Sequence, residues 1–144
     1  MGRSPTNVKS RLVETASELI WKSSYGSVSV DDICITCGVN KGSFYYYFSS
    51  KAELAVAAME ASYQSFESEL NQVFANDVPP IKRFDRLADF VYKKQKQAYD
   101  KYGRVCGCPF ASLGSEMAGN EKIIQRKADE IFERQGNIFI ATLQ

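Results

Sequence analysis

The chain has 144 residues, of which 44% are hydrophobic and 24% charged, with 18 Lys and Arg against 17 Asp and Glu. A chain of this size buries a core without disulfide or metal staples, and a net charge of +1 confines any nucleic-acid site to a local patch. It contains no histidine, which excludes Ser-His-Asp and Cys-His nucleophiles, His-ligated metals and His proton shuttles, so neither an enzyme nor a cofactor is expected.

Helical periodicity runs through nearly the whole chain. No apolar run follows Met1 to Asn7, and no stretch approaches the ~18 apolar residues of a membrane span, so a cytoplasmic protein with no membrane partner is expected. Val8, Leu12, Ala16, Leu19 and Ile20 share one face and predict a helix from Thr6 or Asn7 to about Tyr25-Gly26. Ser29 reads as an N-cap with Asp31 and Asp32 in the first turn, and Gly38 ends that short helix. Asn40 is a second N-cap, opening a helix from Lys41 to Phe48, and Ser50-Lys51-Ala52-Glu53 fits a capping box. The run behind it, with Leu54, Ala57, Ala58, Ala61, Phe66, Leu70 and Val73, predicts a long helix to about Ala75.

Asp77-Val78-Pro79-Pro80 breaks the chain, and Ile81, Phe84, Leu87, Ala88 and Val91 mark the apolar stripe of the next helix, to Tyr102-Gly103. Residues 103–109 read as a loop, followed by a short helix from Phe110 to Met117. Asn120 is the next expected N-cap, and Ile124, Ala128, Ile131, Ile138 and Thr142 carry the last helix to the end of the chain. That end is apolar and has no terminating signal, so either the C-terminal domain is incomplete or a partner covers it. The short stretches rich in strand formers, Val28 to Val30 and Phe44 to Phe48, are bounded by helix caps. The expected fold class is all-α.

A short helix, a glycine-containing turn and a second short helix outline a helix-turn-helix, whose second helix enters the major groove. Phe44 and Phe48, four apart, face the core, which spreads Lys41, Ser43, Tyr45, Tyr46 and Tyr47 over the other faces. Gly42 permits close backbone approach to a base, Tyr hydroxyls suit phosphate oxygens, and Lys51 adds a cation beside the amides of the long helix. Arg3 and Lys9 form a modestly basic N-terminal arm.

Ser29-Val30-Asp31-Asp32-Ile33-Cys34, Cys37-Gly38-Val39-Asn40-Lys41-Gly42-Ser43-Phe44-Tyr45-Tyr46-Tyr47-Phe48 and Ser50-Lys51-Ala52-Glu53-Leu54 closely resemble the N-terminal domain of TetR/AcrR-type transcriptional regulators. The resemblance covers about residues 7–55. It implies a homodimeric repressor of palindromic double-stranded operator DNA, released by a small-molecule inducer or by cysteine modification. The DNA-binding domain is then 1–50 and the helical regulatory and dimerisation domain 51–144. It further implies that Ser29 touches phosphate, that Lys41 and Gly42 lie at base edges, that Tyr45, Tyr46 and Tyr47 contact phosphates and bases, and that Lys51 contacts phosphate. Asn40 and Ser43 complete the expected DNA-binding set. Relatives often carry His at the Tyr46 position, and Ala is usual where Cys34 and Cys37 stand.

Cys34 and Cys37 together with Cys106 and Cys108 have the count of a four-thiolate metal site. The favoured reading is that the first two are small buried residues in tight helix packing, and no metal is expected. Cys106 and Cys108 lie in a loop with Arg104 and ahead of a helix N-terminus, a setting that favours thiolate. The stretch from Gly107 to Glu116 resembles one shared by a branch of the family, some of whose members sense oxidants or electrophiles. Cys108 is the leading candidate and Cys106 the second. Glu116 is expected as a surface carboxylate and Lys93 to Lys96 as a solvated helix face.

Overall fold

The first helices begin where side chains replace missing backbone partners. In the computed structural model, which describes residues 5–117 and 120–144, Ser29, Asn40 and Ser50 each cap a helix start with the side-chain oxygen. The chain forms α1 (Pro5–Lys22), α2 (Val30–Cys37), α3 (Lys41–Tyr47), α4 (Lys51–Val73), α5 (Pro80–Tyr102), α6 (Pro109–Glu116) and α7 (Lys122–Leu143), with no strand among the described residues. Gly38 ends α2 at φ 70°, a left-handed conformation that only glycine takes without strain.

Two cores share one wall. The first joins α1, α2, α3 and α4 through Leu12, Ala16, Ile33, Phe44, Phe48 and Leu54. The second joins α4, α6 and α7 through Ala55, Met59, Tyr63, Phe110, Leu113, Ile124 and Ile131. Leu54 and Ala58 on α4 face the first core, whereas Ala52, Ala55, Met59 and Tyr63 face the second. This long helix therefore mechanically connects the two halves. On the α7 side it is clasped by ions: Arg134 reaches Glu60 at 3.1 Å and Glu67 at 2.7 Å, lies 4.6 Å from the centre of the Tyr63 ring, and is joined by a Lys127–Glu60 pair at 3.0 Å. Gly114 lets α6 sit close on α7, since a Cβ there would lie 3.0 Å from that of Ala128.

The sequence reading needs four corrections here. α1 ends at Lys22, and Ser23 to Val28 form a turn rather than a last helical turn. The N-cap of α7 is Glu121, without a side-chain cap bond, because Asn120 is engaged one turn earlier through its backbone N–H to Met117. The stripe expected on α5 is only half covered. Phe84 and Leu87 are half-buried, but Ile81, Ala88 and Val91 are exposed, because α5 packs chiefly on α4 through Phe66–Phe90 and Phe74–Phe84 ring contacts. Finally, the largest fully buried side chain of the second core is Tyr63, a position outside the expected stripe.

Candidate nucleic-acid interface

The turn-and-cap geometry that holds α2 and α3 is local and complete. Ser29 and Asp32 form a reciprocal box: the Asp32 N–H donates to Ser29 Oγ at 3.0 Å and the Ser29 N–H donates to Asp32 Oδ2 at 2.8 Å. The Ser29 hydroxyl also donates to Asp32 Oδ2 at 2.7 Å. These bonds to the Ser29 backbone and then to its hydroxyl hold the Asp32 carboxyl below the usual carboxylate range. Asn40 Oδ1 accepts from the Ser43 N–H at 2.7 Å. A Cβ on Gly42 would lie 3.3 Å from that same Oδ1, so the residue that suits a close approach to DNA also suits the cap.

α3 hangs on Phe44, which is fully buried, and on Phe48 just beyond its end. The ring of Tyr45 meets that of Phe44 edge-on at 5.0 Å, and Tyr46 meets Tyr47 edge-on at 4.9 Å. The three tyrosines divide as a 100° step requires. Tyr47 leans on the first core, while Tyr45 is 54% and Tyr46 81% exposed. Ile35 on α2 is 79% exposed on the outside of the same motif, an apolar group the sequence reading did not single out. Lys41 sits at the start of α3 and pairs with Asp31 at 3.0 Å, an exposed contact that raises its pKa. Lys9 lies 5.9 Å over the Phe48 ring, and Arg3 is outside the described residues.

Lys51 is placed differently from its expected partners. Its ammonium donates to the carbonyls of Tyr25 and Val28, each at 3.0 Å, and lies 4.0 Å from the centre of the Tyr25 ring. Two of its three N–H donors are thereby committed to the α1–α2 turn. Its first role is to fasten that turn to α4.

Cys34 and Cys37 are buried in the first core, as small residues packed against Leu12, Ile33 and Phe44. Burial is the main reason the Cys34 thiol is pushed up. Cys106 is half-buried and Cys108 exposed, at the N-cap of α6 but without a capping bond. The nearby Arg104 guanidinium donates to the Lys22 carbonyl, one of the C-terminal carbonyls of α1 that lack helical partners. Gln95 clasps their loop from α5, its Nε2 donating to the Gly107 carbonyl and its Oε1 accepting the Gly107 N–H, both at 3.0 Å. The run expected as a solvated face thus includes this clasp and Lys94, which pairs with Glu69 at 2.7 Å. Such contacts join residues far apart in sequence and leave no periodic signal.

The expected DNA-binding residues Ser29, Asn40, Lys41, Gly42, Ser43, Tyr45, Tyr46 and Tyr47 therefore sit together on one helix-turn-helix, with Lys51 at its edge. That fold and face define the class: a helix-turn-helix domain followed by a second helical body. Residues 12–58 match the model of the family described as bacterial regulatory proteins, tetR family, and the chain carries that family's helix-turn-helix domain.

The chain is 34% identical over 110 residues to the transcriptional regulator AcuR of Cereibacter sphaeroides, covering 74% of this chain and 47% of that one. It is 24% identical over 111 residues to the HTH-type transcriptional repressor NemR of Escherichia coli, covering 77% of this chain and 54% of that one. A TetR-family regulator from Agrobacterium tumefaciens superposes with a TM-score of 0.81 at 21% identity, over 97% of this chain and 71% of the other. The chain spans about half the length of these two curated relatives.

Proposed function

We propose that the chain is a sequence-specific DNA-binding regulator, a cytoplasmic homodimeric repressor that places one α3 in each half of a palindromic operator. The observation that carries this reading is the exposure of Tyr45 and Tyr46 on a short helix whose opposite face is locked by Phe44. The Ser29 and Asn40 caps hold this pair outward in a fixed position, and Tyr is suited both to phosphate oxygens and to thymine methyls. Half-sites about 34–36 Å apart follow from one duplex turn.

The test is selection of a duplex from a random pool by the whole chain, followed by equilibrium binding to that duplex and to its scrambled version across a salt series. A preference of ~10³ or more with two protomers per site is expected. Equal affinity for both duplexes overturns the reading.

Release by a small molecule or by cysteine modification is the second part of the proposal. NemR, whose structure superposes with a TM-score of 0.70, has been solved in what is called its reduced form. In this chain Cys108 is exposed, and Cys106 lines a cavity of about 170 Å³ between α1, α4 and α6. Cys108, reacting as its thiolate, adds to the electrophilic carbon of an unsaturated carbonyl. The π pair passes to the neighbouring carbon, which takes a proton from water. N-ethylmaleimide is the probe: it is expected to lower affinity for the selected duplex in the parent chain and not in Cys108→Ser, with Cys106→Ser as the second arm.

A further inference from the structure

Glu116 closes α6, and an acidic residue at a helix C-terminus opposes the helix dipole, so helix stability does not account for it. Its carboxylate reaches across to the α1–α2 turn. Oε1 accepts from the Gly26 N–H at 2.8 Å and Oε2 from the Tyr25 N–H at 3.1 Å, bridging 90 and 91 positions of sequence. A Cβ on Gly26 would lie 3.2 Å from Oε1, a tight contact that the carboxylate would have to relieve by shifting a few tenths of an ångström. The same turn is held from the other side by Lys51, whose ammonium takes the Tyr25 and Val28 carbonyls. Tyr25 is thus gripped through both its N–H and its carbonyl, and its ring is buried beneath Lys51. Burial, with Glu121 and then Glu116 adding to it, pushes its hydroxyl up to about 12. Three residues beyond Gly26 stands Ser29, the N-cap of α2.

We propose that Glu116 is a latch through which α6 sets the position of the helix-turn-helix, a positioning role that rests on the DNA-binding reading above. The latch is solvent-reachable, which makes it releasable, and α6 is seated closely on α7 through Gly114. The cavity of about 170 Å³ is lined by Glu116 itself, by Cys106 and Ser112 beside it, and by Trp21 of α1 and Met59 of α4. A molecule or a Cys106 adduct of a few heavy atoms there lies between α1, α4 and α6, beside the element that carries the latch. It shifts the equilibrium only as far as it favours the unlatched arrangement.

The test uses the whole chain as parent, Glu116→Ala, Glu116→Gln and Gly26→Ala, read by amide hydrogen exchange and by affinity for the selected duplex. In the parent the Tyr25 and Gly26 amides are protected. In Glu116→Ala their exchange quickens about tenfold or more, resonances of residues 29–47 shift while those of α7 hold still, and duplex affinity falls about tenfold. Glu116→Gln, which keeps one carbonyl acceptor, falls between, and Gly26→Ala, which crowds Oε1 without removing it, shows a smaller change in the same direction as Glu116→Ala. Unprotected Tyr25 and Gly26 amides in the parent overturn the latch. Unmoved resonances across 29–47, or unchanged duplex affinity in Glu116→Ala, overturn the coupling. A parent that selects no duplex overturns the DNA reading instead, and the exchange and resonance patterns then still decide the latch.

Discussion

Helices α2, α3 and α4 each begin with a side-chain cap, from Ser29, Asn40 and Ser50; α5, α6 and α7 begin at Pro79, Cys108 and Glu121, with none. The first group is capped by bonds spanning three residues, so each helix start is specified locally. The second group depends on packing and on long-range polar contacts: Gln95 to Gly107, Glu116 to Gly26, and Arg134 to Glu60. Under the proposed function, a DNA-reading face requires fixed geometry whether or not a signal is present, whereas a signal-receiving body requires contacts that can be exchanged. The two halves divide their stabilising interactions accordingly.

The largest expected effect comes from removing what anchors α3. Phe44 is fully buried in the first core, and Phe44→Ala is expected to cost about 3–5 kcal/mol in urea unfolding. Phe110→Ala in the second core is expected to lose a similar stability. The two diverge in duplex affinity measured on the fraction that remains folded: the first loses it, while the second loses no more than the roughly tenfold expected from releasing the α6 latch. Equal loss of affinity in both would erase the contrast between the halves.

Next in size is Lys51→Ala. The two carbonyl bonds and the ring contact are together worth about 2 kcal/mol, because the side chain is only half-buried and water recovers part of the loss. Thermal unfolding checks this. If Lys51 acted on phosphate alone, stability would be unchanged and only the salt slope of binding would fall, by ~1.

The reach of sequence reasoning follows the same division. Caps, the Gly38 stop and the Phe44–Phe48 spacing were readable because their partners lie within four residues. Helical geometry alone required one or two of Tyr45, Tyr46 and Tyr47 to point outward, but did not say which; that Tyr47 is the one leaning on the core is seen only in the fold. Glu116, Gln95 and Lys51 could not be read, because the atoms they hold are backbone groups 12 to 91 positions away, and backbone groups carry no residue signature. The α5 stripe misled for a related reason. Periodicity marks an apolar face without naming what covers it, and Ile81 and Val91 are left exposed among the described residues.

The caps themselves offer a smaller and cleaner comparison. Ser29→Ala and Asn40→Ala are each expected to destabilise by about 1 kcal/mol, whereas Glu121→Ala is expected to change stability by a few tenths at most, since no cap bond is lost. Matched urea curves with a common slope are the check.

The smallest effect is confined to acid. The Asp32 carboxyl is held below its ordinary value of 3.8 by the Ser29 backbone N–H and then by the Ser29 hydroxyl. A carboxyl whose folded pKa lies below its unfolded one adds stability that is fully present above the unfolded pKa and is lost as pH falls through the folded one. The α2 capping box should therefore be intact at neutral pH and begin to weaken as pH drops below about 4, with the loss completed at lower pH. Because Asp32 is exposed, the effect is local: the Ser29 amide should lose exchange protection in acid before those of Ile33 and Phe44 do. Asp32→Asn removes the titration, so that amide's protection should no longer vary across this range. Persistence of the acid-dependent step in Asp32→Asn would assign it to another carboxylate and overturn this account of the capping box.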